Sequence, residues 1–226
     1  MGYNCDFSYL HFLTMKPSIF ILDTNLFFNM EADSGLGKTS KEVMSSIYEY
    51  GLQIGKDAIQ FYMPPTIVDE ILTFLPQSDE SLKKLLSVVQ VKSPEISNIK
   101  FSAKVFYTLV QDIRERSYRG LTIAEEELTN AEKEMSGKTF GHIEHQKEIG
   151  KHITKLRERY RNATRTKFLD SVADLDLIVL AQELDASVVS ADEGIMIWAR
   201  HFGVKETKPQ FLKDQLETLL HQASKS

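Results

Sequence analysis

Six carboxylates stand where stretches of apolar sequence stop or start. Asp23 ends the short run 19–22. Glu70 lies on the segment that follows a second run, 58–63, and the pair Pro64-Pro65. Asp170, Asp174 and Asp176 crowd the start of the strongly apolar stretch 173–184, and Asp192 follows Val188-Val189-Ser190. If the short runs are parallel strands, their C-terminal ends share one edge of the sheet, where ligands bind in open α/β folds. Asp23 and Asp192 should then meet. Asp170 and Asp174 are four apart and would share a helix face, with Asp174 pointing to the same edge. Clustered carboxylates raise one another's pKa values, and a hard divalent cation offsets that repulsion. Mg²⁺ or Mn²⁺ is the expected choice; the absence of His and Cys from the group disfavours zinc. Such a site suits phosphodiester hydrolysis, one metal lowering the pKa of an attacking water and a second stabilising the leaving oxygen. Any single Asp at a helix start is more simply a cap, and Asp185 and Asp214 are assigned surface or cap roles. The joint pattern carries the metal reading.

The elements that would position these groups follow from periodicity and breakers. Residues 19–22, 58–63 and 187–190 are strand-like. Residues 31–40 form a loop, and 41–55, 66–75, 80–91, 173–184, 195–201 and 208–222 are expected helices, the second started by proline. The middle differs. Leu121, Ala124, Leu128, Ala131 and Met135, then Ile149, Ile153, Leu156, Tyr160 and Ala163, step by threes and fours on either side of a Gly-containing turn at 137–141. Two heptad-like seams of this kind predict an antiparallel helical hairpin, its second arm projecting roughly 30–40 Å. Strand–helix alternation on both sides of it predicts an α/β body with a parallel sheet.

At 226 residues, 42% hydrophobic and 26% charged, the composition excludes a disordered chain. No apolar run approaches membrane-spanning length, residues 1–13 lack the features of a secretory signal, and a single cysteine, Cys5, excludes a disulfide framework. A cytoplasmic location is expected. The net charge of -5 is unevenly spread: residues 101–169 hold 14 Lys and Arg against 10 Asp and Glu, the remainder 13 against 22. Within 151–168, Lys151, Lys155 and Arg159 form one i,i+4 row and Arg157, Arg161 and Arg165 another, with Glu158 as the one acid. Both rows can face outward if the seam faces the other arm, a stripe suited to tracking RNA phosphates.

Other motifs carry less. ADSGLGKT (32–39) is a relaxed phosphate-loop pattern, but a true one follows its strand directly, and here the strand ends at Asp23. His142 and His145 lack a carboxylate motif. Met196, Trp198 and Phe202 are core or subunit-contact residues.

IFILDTN (19–25), PPTIVDEI (64–71) and DLDLIVLAQELDASVVSAD (174–192) resemble the acid-bearing segments of PIN-domain nucleases, with Thr24 and Ser190 as the small hydroxyl residues beside the first and last acids. Residues 157–205 and SYRGLTIAEE (117–126) resemble, more narrowly, the protein-only ribonuclease P family called HARP, over roughly 17–218. The resemblance implies a PIN-like three-layer α/β/α parallel sheet with an inserted helical hairpin. The body would comprise 17–100 and 169–226, the insertion 101–168, and 1–16 a leader, with Met15 an alternative start. It implies Asp23, Asp174, Asp176 and Asp192 as catalytic residues, Asp170 close by, and Glu70 as a further metal ligand from the wider PIN pattern. It also implies removal of the 5′ leader of precursor tRNA, homodimers building larger homo-oligomers, and an insertion that meets the tRNA elbow, so that the arm would act as a ruler. A toxin-type PIN ribonuclease, which lacks such an arm, and a non-catalytic tRNA-binding scaffold are the alternatives.

Overall fold

The computed structural model describes residues 16–165, 167–169 and 171–225. The leader apart from Lys16, with Cys5 and Met15, lies outside the described residues, and so does Asp170. Five parallel strands form one sheet in the order β3-β2-β1-β4-β5. They are β1 (Ser18–Leu22), β2 (Ile59–Met63), β3 (Val89–Val91), β4 (Ser187–Val189) and β5 (Lys205–Thr207). Phe20, Ile21 and Leu22 are all buried, the continuous apolar pattern of a strand covered on both faces. From β1 the chain moves to β2 on one side and later returns to β4 on the other. The reversal makes the β1–β4 boundary the switch point of the sheet, where a crevice opens at the strand ends.

The helices are α1 (Asn25–Phe28), α2 (Ser40–Ile54), α3 (Pro65–Phe74), α4 (Glu80–Val88), α5 (Lys104–Met135), α6 (His142–Arg165), α7 (Val172–Leu184), α8 (Glu193–Phe202) and α9 (Pro209–Ala223). One layer packs α2 with α1, α4 and α9; the other packs α7 with α3 and α8. Two strands depart from expectation. The helix expected over 80–91 stops at Val88 and its last three residues become β3, and β5 was not foreseen. The glycine-lysine stretch 32–39 leads into a helix cap: Thr39 Oγ1 accepts from Glu42 N–H, while Glu42 Oε2 accepts from the N–H of Lys38, one residue before the cap, at 2.7 Å.

α5 and α6 form the antiparallel hairpin, about 48 Å and 36 Å long at 1.5 Å per residue, turning at Gly137 with φ 70°. The interface is rotated from the expected seam. Ala124, Ala131 and Met135 are half-buried, but Leu121 and Leu128 are 57% and 70% exposed. Instead Arg116, Gly120 and Glu127 are buried between the arms. A Cβ on Gly120 would lie 2.5 Å from the Tyr160 ring. Arg159 donates to both Glu127 Oε1 and Glu126 Oε2 at 2.5 Å. These contacts, rather than the leucines, fix the rotation of α5.

Candidate active site

Asp23 directly follows β1 and is 3% exposed. Its N–H donates to the Val189 carbonyl at 3.1 Å, because β1 pairs with β4 through Leu22 and Val189. Ser190, the next residue, is fully buried. Its hydroxyl donates to Asp23 Oδ2 at 2.5 Å and accepts from the Asp192 N–H at 2.9 Å. One hydroxyl thus joins the loops after the two central strands, and Asp23 and Asp192 meet at the switch point. Asp192 also caps α8, its Oδ1 accepting from Gly194 N–H at 2.6 Å and Ile195 N–H at 3.1 Å. The capping role and the site position coincide, and Oδ2 stays outside the cap.

α3 brings the second side. Thr24 Oγ1 donates to Glu70 Oε2 at 2.7 Å. One turn earlier on the same helix face, Thr66 Oγ1 donates to Asp176 Oδ2 at 3.1 Å. Asp174 sits in the first turn of α7, its N–H bonded to the capping Ser171 hydroxyl at 3.1 Å. Two residues apart on a helix, Asp174 and Asp176 point in different directions: Asp176 toward α3, Asp174 close enough to Asp23 to raise its pKa. Asp23 is pushed from 3.8 to about 6. Burial is the largest cause; the fields of Asp174 and Glu70 add to it, and hydrogen bonds from Ser190 and Asn25 work against it. Asp23, Glu70 and Asp174 therefore share one electrostatic neighbourhood. Among the described residues, no group of three or more Asp, Glu, His or Cys is arranged so that it could hold a metal ion.

Three contributors were not singled out in the sequence. Asn25 stands beside Asp23 in the motif itself. Thr66 is one turn before Glu70, a spacing that could have marked it. Gly194 has no spare volume: a Cβ there would lie 2.8 Å from the Phe168 carbonyl oxygen and 2.9 Å from Asp192 Oδ1.

The basic rows separate. Lys155 and Arg159 are turned to α5, Lys155 lying 3.6 Å from Glu127 Oε2 and Arg159 bridging Glu126 and Glu127; Lys151 pairs with Glu148 at 2.6 Å. The expectation that Glu158 is the one acid available to this row is corrected, although Lys151 and Lys155 remain exposed. The acids that hold it come from the opposite arm, about thirty residues away, and from Glu148 just before the row. Hydrogen bonding to Arg159 holds the Glu127 carboxyl below the usual carboxylate range. Arg157 and Arg161 are exposed and have no ion-pair partner among the described residues, whereas Arg165 is exposed but engaged. Acid should loosen the hairpin: since the Glu127 pKa is depressed, its contribution is present at neutral pH and lost as pH falls through the folded value. Hydrogen exchange of α5 and α6 amides, followed from neutral to acid pH, should show the arms opening before the sheet.

Comparison with known sequences agrees with this geometry. The sequence model of the PINc domain ribonucleases matches residues 19–221. An RNA-free ribonuclease P of Pyrococcus abyssi is 35% identical over 207 residues, 92% of this chain and 95% of its own. One of Haloarcula marismortui is 38% identical, covering 87% and 91%. One of Thermodesulfovibrio yellowstonii is 30% identical, covering 92% and 97%. The chain belongs to the PIN-domain ribonucleases, in the branch of the RNA-free ribonucleases P, and its enzyme class is that of an endoribonuclease.

Proposed function

We propose that this endoribonuclease removes the 5′ leader of precursor tRNA with the help of divalent cations. The observation that carries the reading is the buried Asp23 at the switch point, flanked by Glu70 and Asp174 and tied to Asp192 through Ser190. Burial raises its pKa, the neighbouring carboxylates Asp174 and Glu70 add to that, and the group's donors are all oxygen, which fits Mg²⁺ or Mn²⁺. Asp23, Glu70, Asp174 and Asp192 would hold the cations once their side chains turn inward, since no three of them stand in a ligating arrangement here; Asp176 is a further candidate, and Asp170, outside the described residues, is one by resemblance alone. Two such ions supply Lewis acidity toward an attacking water and a leaving oxygen. The chain's own part is positional. Ser190 orients Asp23, Thr24 orients Glu70, Thr66 orients Asp176, and the capping bonds of Asp192 leave one carboxylate oxygen for the site. Asp23, Asp174, Asp176 and Asp192 are the proposed catalytic residues.

Substrate and assembly follow from the hairpin. Arg157 and Arg161 present free positive charge along α6 for the RNA backbone. Replacing both with Ala should weaken precursor binding and lower its salt slope by roughly 2, about one per lost phosphate contact. Arg159→Ala should instead loosen the hairpin. On the outer face of α5, Tyr107, Val110, Tyr118, Leu121 and Leu128 are 79%, 59%, 73%, 57% and 70% exposed and recur near heptad spacing, a seam that a second copy of the chain would cover. Leu121→Glu combined with Tyr118→Glu should shift the sedimentation of the protein toward the monomer. Among the described residues no helix is long and apolar enough to cross a membrane, which is compatible with action in the cytoplasm.

The direct test incubates the purified protein with 5′-labelled precursor tRNA, with Mg²⁺ and with chelator, between pH 5 and 8. The expected result is a leader and a 5′-phosphorylated mature end, formed only with the cation. Without a cation Asp23 holds its proton up to about pH 6, and a cation must compete with that proton, so the Mg²⁺ concentration needed for half-maximal rate should rise as pH falls below that value. Tight binding without cleavage would favour the scaffold reading, and cleavage of unstructured RNA as fast as precursor tRNA the toxin-type reading.

A further inference from the structure

We propose that Arg116 is a positioning residue through which the hairpin sets the geometry of the carboxylate site; this rests on the nuclease reading above. Arg116 is 8% exposed at the root of the hairpin. Its Nε donates to Asp112 Oδ2 at 2.6 Å and its Nη1 to the Thr164 carbonyl at 2.7 Å, in the last turn of α6. The guanidinium lies over the Phe168 ring, 4.6 Å from its centroid. One side chain therefore binds α5, the end of α6 and the connection that leads to α7.

That connection carries the arm's position to the site. On its far side Phe168 meets Trp198 edge-on at 5.7 Å, and its backbone is pressed against Gly194 of α8. Three residues later Ser171 caps α7 and bonds the N–H of Asp174, while Gly194 bonds Asp192. Phe168 thus sits between Arg116 and the supports of two site carboxylates. Beside it is an apolar cavity of about 600 Å³ lined by Val105, Leu109, Phe168, Leu175 and Trp198. Phe168, Leu169 and Ser171 border that cavity, and Arg116 holds the Phe168 ring from the hairpin side. A buried arginine is an expensive way to gain stability alone, since apolar residues of similar volume often do as well. Its planar, multiply donating head is suited to holding three elements in fixed relation.

The test compares Arg116→Ala, Arg116→Lys and Phe168→Leu with the unaltered chain on two RNAs: full precursor tRNA, and a leader-bearing acceptor-stem hairpin too short to reach α6. The unaltered chain should cleave the full precursor with the higher kcat. Arg116→Ala should lower that kcat by about tenfold or more, within the usual span of coupling between sites, with KM little changed and the short substrate little affected, so that the preference disappears. Arg116→Lys and Phe168→Leu should give the same split in smaller measure, and either serves if the alanine variant does not fold. Equal losses on both substrates, losses that track the fall in Tm, or an unchanged preference in all three variants would overturn the proposal. If the unaltered chain cleaved neither RNA, the nuclease reading itself would fail, an outcome distinct from loss of preference alone.

Discussion

Replacing Asp23 by Asn should abolish cleavage and, in chelator at pH 8, make the protein harder to unfold. The two effects have one source. The Asp23 carboxylate is buried beside Asp174 and Glu70, and its pKa stands near 6 rather than 3.8. A carboxyl whose folded pKa is raised binds its proton more tightly in the folded than in the unfolded state. The contribution of Asp23 to stability is therefore greatest below pH 3.8, declines as pH rises toward 6, and stays lower above it. The shift of about two units corresponds to at most about 3 kcal/mol. Asparagine removes the charge and still accepts from Ser190. With each kcal/mol worth roughly 2–4 °C for a chain of this size, Tm should rise by several degrees. Activity should fall by about a thousandfold or more, as expected when a central electrostatic group of a site is lost. A Tm that falls, or cleavage that persists, would separate Asp23 from the site.

The second large effect is expected from a single methyl group. Gly194→Ala would place a Cβ 2.8 Å from the Phe168 carbonyl oxygen and 2.9 Å from Asp192 Oδ1, closer than packed atoms tolerate. Either the connection before α7 or the Asp192 carboxylate must move, and both belong to the site. Displacements of this order at a reacting centre cost about a hundredfold in rate. Stability should change by only about 1–3 kcal/mol, the usual range for overpacking. Single-turnover cleavage should therefore drop by roughly two orders of magnitude while precursor affinity, measured by filter binding in chelator, changes little. Unchanged single-turnover cleavage would show that the crowding relaxes without touching Asp192.

The parts legible in the sequence are those with a local cause. Asp23 and Asp192 follow apolar strand runs, and strand ends in a parallel sheet share an edge, so their meeting could be reasoned out residue by residue. β3 and β5 could not. Each has three residues, lies at a sheet margin and buries one side chain fully, too little to leave a period. The hairpin was visible as two repeats, but its rotation was not, because the contacts that set it, Glu127 with Arg159 and Gly120 with Tyr160, join residues 32 and 40 apart in the chain. The same distance hid the partners of Lys155 and Arg159, so a row that looked unpaired in sequence proved neutralised in space. The placing of Glu70 with Asp23 came from resemblance to the wider PIN pattern, and the Thr24 hydroxyl supplies the physical tie that the sequence alone did not express.

The hairpin is carried by the connection that runs from β3, at one margin of the sheet, to β4 beside the central strand. That connection must cross the molecule in any case, and the hairpin's two arms come together where Arg116 of α5 meets Thr164 of α6. Its span is thus a quantity the fold leaves unconstrained: whole heptads could be added or removed near Gly137 and the sheet, its register and its acids would be undisturbed. If α6 meets RNA as proposed, editing the tip alone would change how far along a substrate the arm reaches while the catalytic body stays as it is.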